Sequence, residues 1–195
     1  ASFMISSRSG LSSSEPTSQR TRTASDSVTV EVVNDAPVIT PPGGQPIAGV
    51  EETVTSLSGI SIADIDVHAG SVSVSLTATD VTLSLSVTTG LSLSTAATAK
   101  VISFTAPLAD ANTALASLSF QGDLNFVGST SVVVLVDDQG NTGSGGALSD
   151  TETIALDITP VNDPPILTVP GATSINEDAS TSLPGISAAD VDVGG

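Results

Sequence analysis

Residues 71–87 read SVSVSLTATDVTLSLSV, a strict alternation of Ser or Thr with Val, Leu or Ala that is interrupted once, at Thr79-Asp80. Side chains along an extended strand point to opposite faces in turn, so this pattern predicts two half-buried strands joined by a tight turn. Across the rest of the chain, the same alternation predicts strands at Val54 to Leu57, Val72 to Leu76, Val81 to Val87, Leu91 to Leu93, Val101 to Phe104, Val132 to Val136 and Ile154 to Ile158. Seven short strands separated by turn residues predict an all-β antiparallel sandwich. One stretch departs from the pattern: Leu108, Asn112, Leu115 and Leu118 follow helical spacing in an Ala-rich run with Asp110 placed to cap it, which predicts a short crossover helix.

The chain also contains a long internal repeat. Val33-Asn34-Asp35-Ala36-Pro37 aligns with Val161-Asn162-Asp163-Pro164-Pro165, about 128 residues later. The match continues from Glu51-Glu52 to Glu177-Asp178, from Gly59-Ile60-Ser61 to Gly185-Ile186-Ser187, and from Asp64-Ile65-Asp66-Val67 to Asp190-Val191-Asp192-Val193, after a slip of two residues. The expected organisation is a complete unit over 36–163, preceded at 25–35 by the last strand and linker of an earlier unit. Residues 164–195 would begin another. Residues 1–24, rich in Ser, Thr and Arg without periodicity, read as an irregular or disordered lead-in.

The charge is strongly one-sided. Twenty-one acidic residues face four basic ones, for a formal net charge of −17, and Lys100 is the one cation from Thr23 onward. Such a chain repels nucleic acid and calls for cationic partners. Few aromatics and high acidity can mark disorder, but 39% of the residues are hydrophobic and they sit in the alternating runs, so the reading is a folded protein that needs counter-ions. The absence of cysteine removes disulfides and zinc-thiolate sites. No apolar run approaches the ~20 residues that span a bilayer, and the opening ASFMISSRSG lacks a signal peptide's apolar core.

Enzyme chemistry finds little to work with. His68 is the single histidine, no Gly-x-Ser-x-Gly elbow occurs, and a chain without Trp or Tyr lacks the aromatic platforms of sugar-cleaving sites. The acids offer more. If Asp64-Ile65-Asp66-Val67 is extended, Ile65 and Val67 enter the core while both carboxylates project outward together. Asn34-Asp35 and Asn162-Asp163 would face opposite ways, and the residues after them keep each linker from becoming helical. Asp137-Asp138-Gln139-Gly140-Asn141 closes the most hydrophobic strand, and the Gly-rich TGSGG after it can turn carbonyls toward a cation. Calcium takes six to eight such oxygens, so several of these groups would have to converge.

Their order resembles the cadherin family. Asp138-Gln139-Gly140 is similar to its Asp-x-Gly element, Asp157 to Pro165 (DITPVNDPP) to its linker, and Asp190-Val191-Asp192 to its Asp-x-Asp. The Val-Asn-Asp-Ala-Pro-Val spelling and the GNTGSGGALSDT stretch resemble most the cadherin-like repeats of bacterial RTX-type adhesins. The resemblance spans about residues 25–195. It implies a cadherin-like or Ig-like Greek-key sandwich repeated in tandem, located outside the cell or at its surface, which binds calcium where repeats meet and is not an enzyme. It implies metal ligands Glu51, Asp138, Asn162, Asp163, Asp190 and Asp192 at one junction, Asn34, Asp35, Asp64 and Asp66 at the other, and Glu177 as the counterpart of Glu51. The expected role is a calcium-rigidified spacer or adhesive module of a cell-surface adhesion protein whose partners are neighbouring repeats, a second copy or a surface glycan. The alternative is a calcium-dependent carbohydrate-binding sandwich. The Leu-Asp-Arg-Glu element of cadherins and the Gly-Gly-x-Gly-x-Asp nonapeptide of RTX proteins are both missing.

Overall fold

The computed structural model describes residues 31–193. In chain order these form β1 (Val38–Thr40), β2 (Ile47–Val50), β3 (Thr55–Ser56), β4 (Ser61–Ala63), β5 (Ser71–Ala78), β6 (Val81–Leu85), β7 (Ser92–Leu93), β8 (Thr98–Ala99), β9 (Val101–Pro107), α1 (Leu108–Ala116), β10 (Leu118–Gly122), β11 (Gly128–Asp137), β12 (Ser149–Thr159), β13 (Ile166–Thr168) and β14 (Ser187–Ala189). A six-stranded sheet runs β2-β12-β11-β5-β9-β7 and a four-stranded sheet β3-β10-β6-β8; β1 pairs with β4 and β13 with β14. The expected lead-in at 1–24 and most of the strand expected over 25–35 lie outside the described residues.

Alternation decides which side chains meet. Val72, Val74 and Leu76 of β5, Val132, Val134 and Val136 of β11, and Ile154, Leu156 and Ile158 of β12 all point inward. The four-stranded sheet adds Val81, Leu83, Leu118 and Phe120, and the inward faces of the two sheets share one core. The result is an all-β sandwich. All seven predicted strands are present within a few residues of their expected bounds. The alternation does not mark β1, β2, β4 and β8, which have two to four residues each, nor β10, whose Leu118 also fits the helical spacing of the run before it.

Two expectations need correction. The sheet is not purely antiparallel: β2 lies beside β12 in parallel, with Ile47 opposite Leu156 and Val50 opposite Thr159. Local alternation assigns a strand's faces and is silent on its neighbour. The helix forms where the spacing puts it, but Asp110 does not cap it. Pro107 occupies the N-cap position without a side-chain bond, and Asp110 sits in the first turn, where its charge complements the helix dipole. Leu118 belongs to β10, since Ser117 ends the helix by donating both its N–H (2.9 Å) and its hydroxyl (2.7 Å) to the Ala114 carbonyl. α1 buries Ala111, Ala114 and Leu115. Its Asn112 side chain accepts the N–H of Ile62 (2.8 Å) and donates to the carbonyl of the same residue (2.9 Å), which fixes β4 and the acidic turn after it.

Candidate metal centre

The acids collect at two places. The first lies where the entering segment meets the turn after β4 and the loop after β11. Asp64 does not continue β4 as an extended strand. Its Oδ1 accepts the backbone N–H groups of Asp66 (2.8 Å) and Val67 (3.1 Å), which closes a tight turn. The predicted sharing of faces therefore fails: Ile65 is exposed at 70%, whereas Val67 and Asp66 are both buried. Asp66 Oδ2 in turn accepts the N–H of Asp35 (2.7 Å), so the turn is bonded to the linker through its carboxylate.

Asp138, fully buried, belongs to this first place and not to the junction at Asp163 where the resemblance put it. Its Oδ1 accepts from Gly140 N–H (2.7 Å) and Leu148 N–H (2.8 Å), and its Oδ2 from the Asn34 side-chain amide (2.5 Å). Burial opposes ionisation of this carboxyl, but the three donors outweigh it and hold its pKa below the usual carboxylate range. The Gly-rich loop also behaves differently from expectation. Its Ser144 and Gly146 carbonyls accept from the backbone and side chain of Asn34. Thr142, missed in the sequence, donates its hydroxyl to the Asp66 carbonyl, and Asn141 donates to the carbonyls of Ser71 (2.6 Å) and Asp138 (2.5 Å). Both lie in the stretch that turn chemistry already marked. Asp64 Oδ2 is buried without a hydrogen-bond partner among the described residues.

The second place is the exit of the sandwich. Glu51, Asp163 and Asp192 each offer a carboxylate oxygen within 4.8 Å of the others, and the trio could hold a metal ion. Glu51 is 2% exposed. One of its oxygens accepts the Val161 N–H (2.7 Å) and the other is buried with no hydrogen-bond partner among the described residues. A carboxylate taken out of water and left half unpaired is costly unless a cation or proton completes it. Asp192 Oδ2 accepts the N–H of Asp163 (2.5 Å), and Asp190 Oδ1 the N–H of Asp192 (3.0 Å). These are the contacts that Asp66, Asp35 and Asp64 make at the first place. Asn162 is exposed, with its amide on the Asp163 carbonyl (3.1 Å), and Glu177 lies on an exposed turn, apart from the trio.

The structure thus gathers Glu51, Asp163, Asp190 and Asp192 at one end and Asn34, Asp35, Asp64 and Asp66 at the other, while Asp138 changes places. His68 is exposed, with Nδ1 2.8 Å from the Asp66 carbonyl. No model of a known protein family matches the chain, and no curated protein matches it either.

Proposed function

We propose that this chain is a cadherin-like tandem repeat from an extracellular cell-surface adhesion protein, a Greek-key sandwich acting as a spacer that calcium stiffens at its junction. The observation that carries the reading is the buried, half-unpaired carboxylate of Glu51 beside Asp163 and Asp192. The three come from different segments: the residue just after β2, the linker after β12, and the turn after β14. One cation held by all three ties the sandwich to the segment beyond β12, and without the ion the charges repel.

Calcium fits the donor chemistry. The trio supplies only hard oxygens, Asp192 is exposed so water can complete a shell of six to eight, and neither cysteine nor a nearby histidine is present to favour a softer metal. The repeat is supported by the two short hairpins. Ile39 pairs with Ile62 in β1–β4 as Leu167 pairs with Ala188 in β13–β14, with the same slip of two residues between the strands.

The test is the unfolding midpoint in chelator, magnesium and 10 mM calcium. Extracellular sites of this kind have a Kd of roughly 0.1–1 mM. At a hundredfold excess over Kd, binding to the folded state adds about 2.7 kcal/mol, or about 5–10 °C for a chain of this size. Glu51→Gln is expected to abolish the rise. Identical midpoints in all three solutions would defeat the proposal.

A further inference from the structure

The parallel pairing of β2 with β12 is the central part of a longer alignment. The segment that enters the sandwich, residues 32–51, runs beside the segment that leaves it, residues 144–161, in the same direction throughout. At its start, Ser144 N–H donates to the Val32 carbonyl (2.9 Å) and Asn34 N–H to the Ser144 carbonyl (3.0 Å). Farther on, Asp150 Oδ2 accepts the Ile39 N–H (2.8 Å) and Gln45 Oε1 accepts the Ala155 N–H (2.8 Å). The β2–β12 ladder comes next, with the Thr159 hydroxyl donating to the Gly49 carbonyl (3.0 Å). Glu51 closes the alignment: its N–H donates to the Thr159 carbonyl (3.0 Å) and its carboxylate accepts the Val161 N–H (2.7 Å). The side-chain links join residues 110 to 112 apart, so the register shifts by no more than two residues from one end to the other.

We infer that this seam carries tension through the sandwich, and that the cation at Glu51, Asp163 and Asp192 is its terminal lock. Tension along the chain pulls residues 32–51 backward from their first residue and residues 144–161 forward from their last. Because the two segments are parallel, the pulls oppose each other along the strand axis, and the evenly spaced, slanted bonds that cross between the segments are sheared together. An antiparallel pair pulled at one end would open one bond at a time. The lock sits where the leaving segment bears the load, since it joins Glu51 on one side of the seam to Asp163 just beyond the other. This second part rests on the calcium reading; the seam does not.

The chain has no cysteine, so thiol handles can be placed singly for force spectroscopy on the full chain. Handles at the exposed Glu31→Cys and Val169→Cys load the seam in shear; handles at Glu31→Cys and the exposed Ala147→Cys load the same end of both segments. Forced unfolding reports the unfolding barrier along the direction of pull. The rupture force in the first geometry is expected to exceed that in the second by about twofold or more, and to rise further with calcium in the first geometry only. Glu51→Gln is expected to remove the calcium increment and keep the difference between geometries. Equal forces in the two geometries would overturn the seam. A geometry difference that calcium never alters would overturn the lock; the calcium reading falls with it only if calcium also leaves the unfolding midpoint unchanged.

Discussion

Replacing Gly49 by alanine would drive a methyl group into the side chains of Phe120 and Ile158. A Cβ at this position of β2 stands 2.6 Å from Phe120 Cε2, 2.9 Å from Ile158 Cδ1 and 3.0 Å from Phe120 Cζ. Favourable carbon contacts lie near 3.5–4.0 Å, so the overlap approaches an ångström against three atoms. Neither neighbour has room to retreat, because Phe120 and Ile158 are both 1% exposed and packed into the core. Overpacking of this kind costs about 1–3 kcal/mol, which lowers the midpoint by about 2–12 °C. The chain lacks Trp and Tyr, so urea unfolding is best followed by the circular dichroism of its strands. Phe120→Leu trims the ring edge that clashes, and in the double variant it is expected to recover about 1 kcal/mol or more relative to the sum of the single effects. A Gly49→Ala variant within about 0.5 kcal/mol of the parent, or strict additivity in the cycle, would refute the claim that the contact of β2 with Phe120 limits the packing here.

Two further outcomes concern the polar contacts. The folded Asp138 carboxyl titrates below its ordinary value, so its contribution is fully present above the unfolded pKa near 3.9 and disappears as pH falls through the lower folded value. Urea midpoints between about pH 2 and 5 are expected to fall less steeply in Asn34→Ala, which loses one of the three donors, and Asp138→Asn is expected to cost about 1–3 kcal/mol at neutral pH; an unchanged acid slope in Asn34→Ala would count against the network. Asn112→Ala removes both bonds to the Ile62 backbone and is expected to cost about 1–3 kcal/mol and to speed hydrogen exchange at the Ile62 amide, and unaltered exchange there would show that α1 does not hold β4.

The strands are legible where alternation runs long and nothing competes with it, as in β5, β6, β11 and β12, because the period that marks a strand also selects its buried face; β10 alternates too but is masked by the helical spacing that Leu118 completes. The grouping of Glu51 with Asp163 and Asp192 comes from the resemblance to the cadherin family; the internal repeat shows only that similar acids recur in the same order, not which of them meet. Other features are products of closure in three dimensions. Asp64-Ile65-Asp66 alternates like a strand, yet Asp64 captures two backbone N–H groups and turns the chain, so a polar side chain competing for local donors overrides the pattern. Asp138 joins Asn34 because β11 delivers it to the start of the seam, a neighbour that no local spacing names. The parallel placement of β2 is hidden for the same reason.

The two hairpins differ in one respect that bears on handling the protein in solution. Ile39 and Leu57 are 4% and 1% exposed, while their counterparts Leu167 and Leu183 are 64% and 55% exposed, and Ile166, Val169, Ile186 and Val193 are exposed beside them. An apolar surface of this size would ordinarily make molecules stick to one another. A net charge of −17 opposes that by mutual repulsion over roughly the Debye length, about 10 Å at 0.1 M salt. Colloidal behaviour therefore depends on the acids as much as any metal centre does: high ionic strength, low pH and bound divalent cations each weaken the repulsion that keeps neighbouring molecules apart.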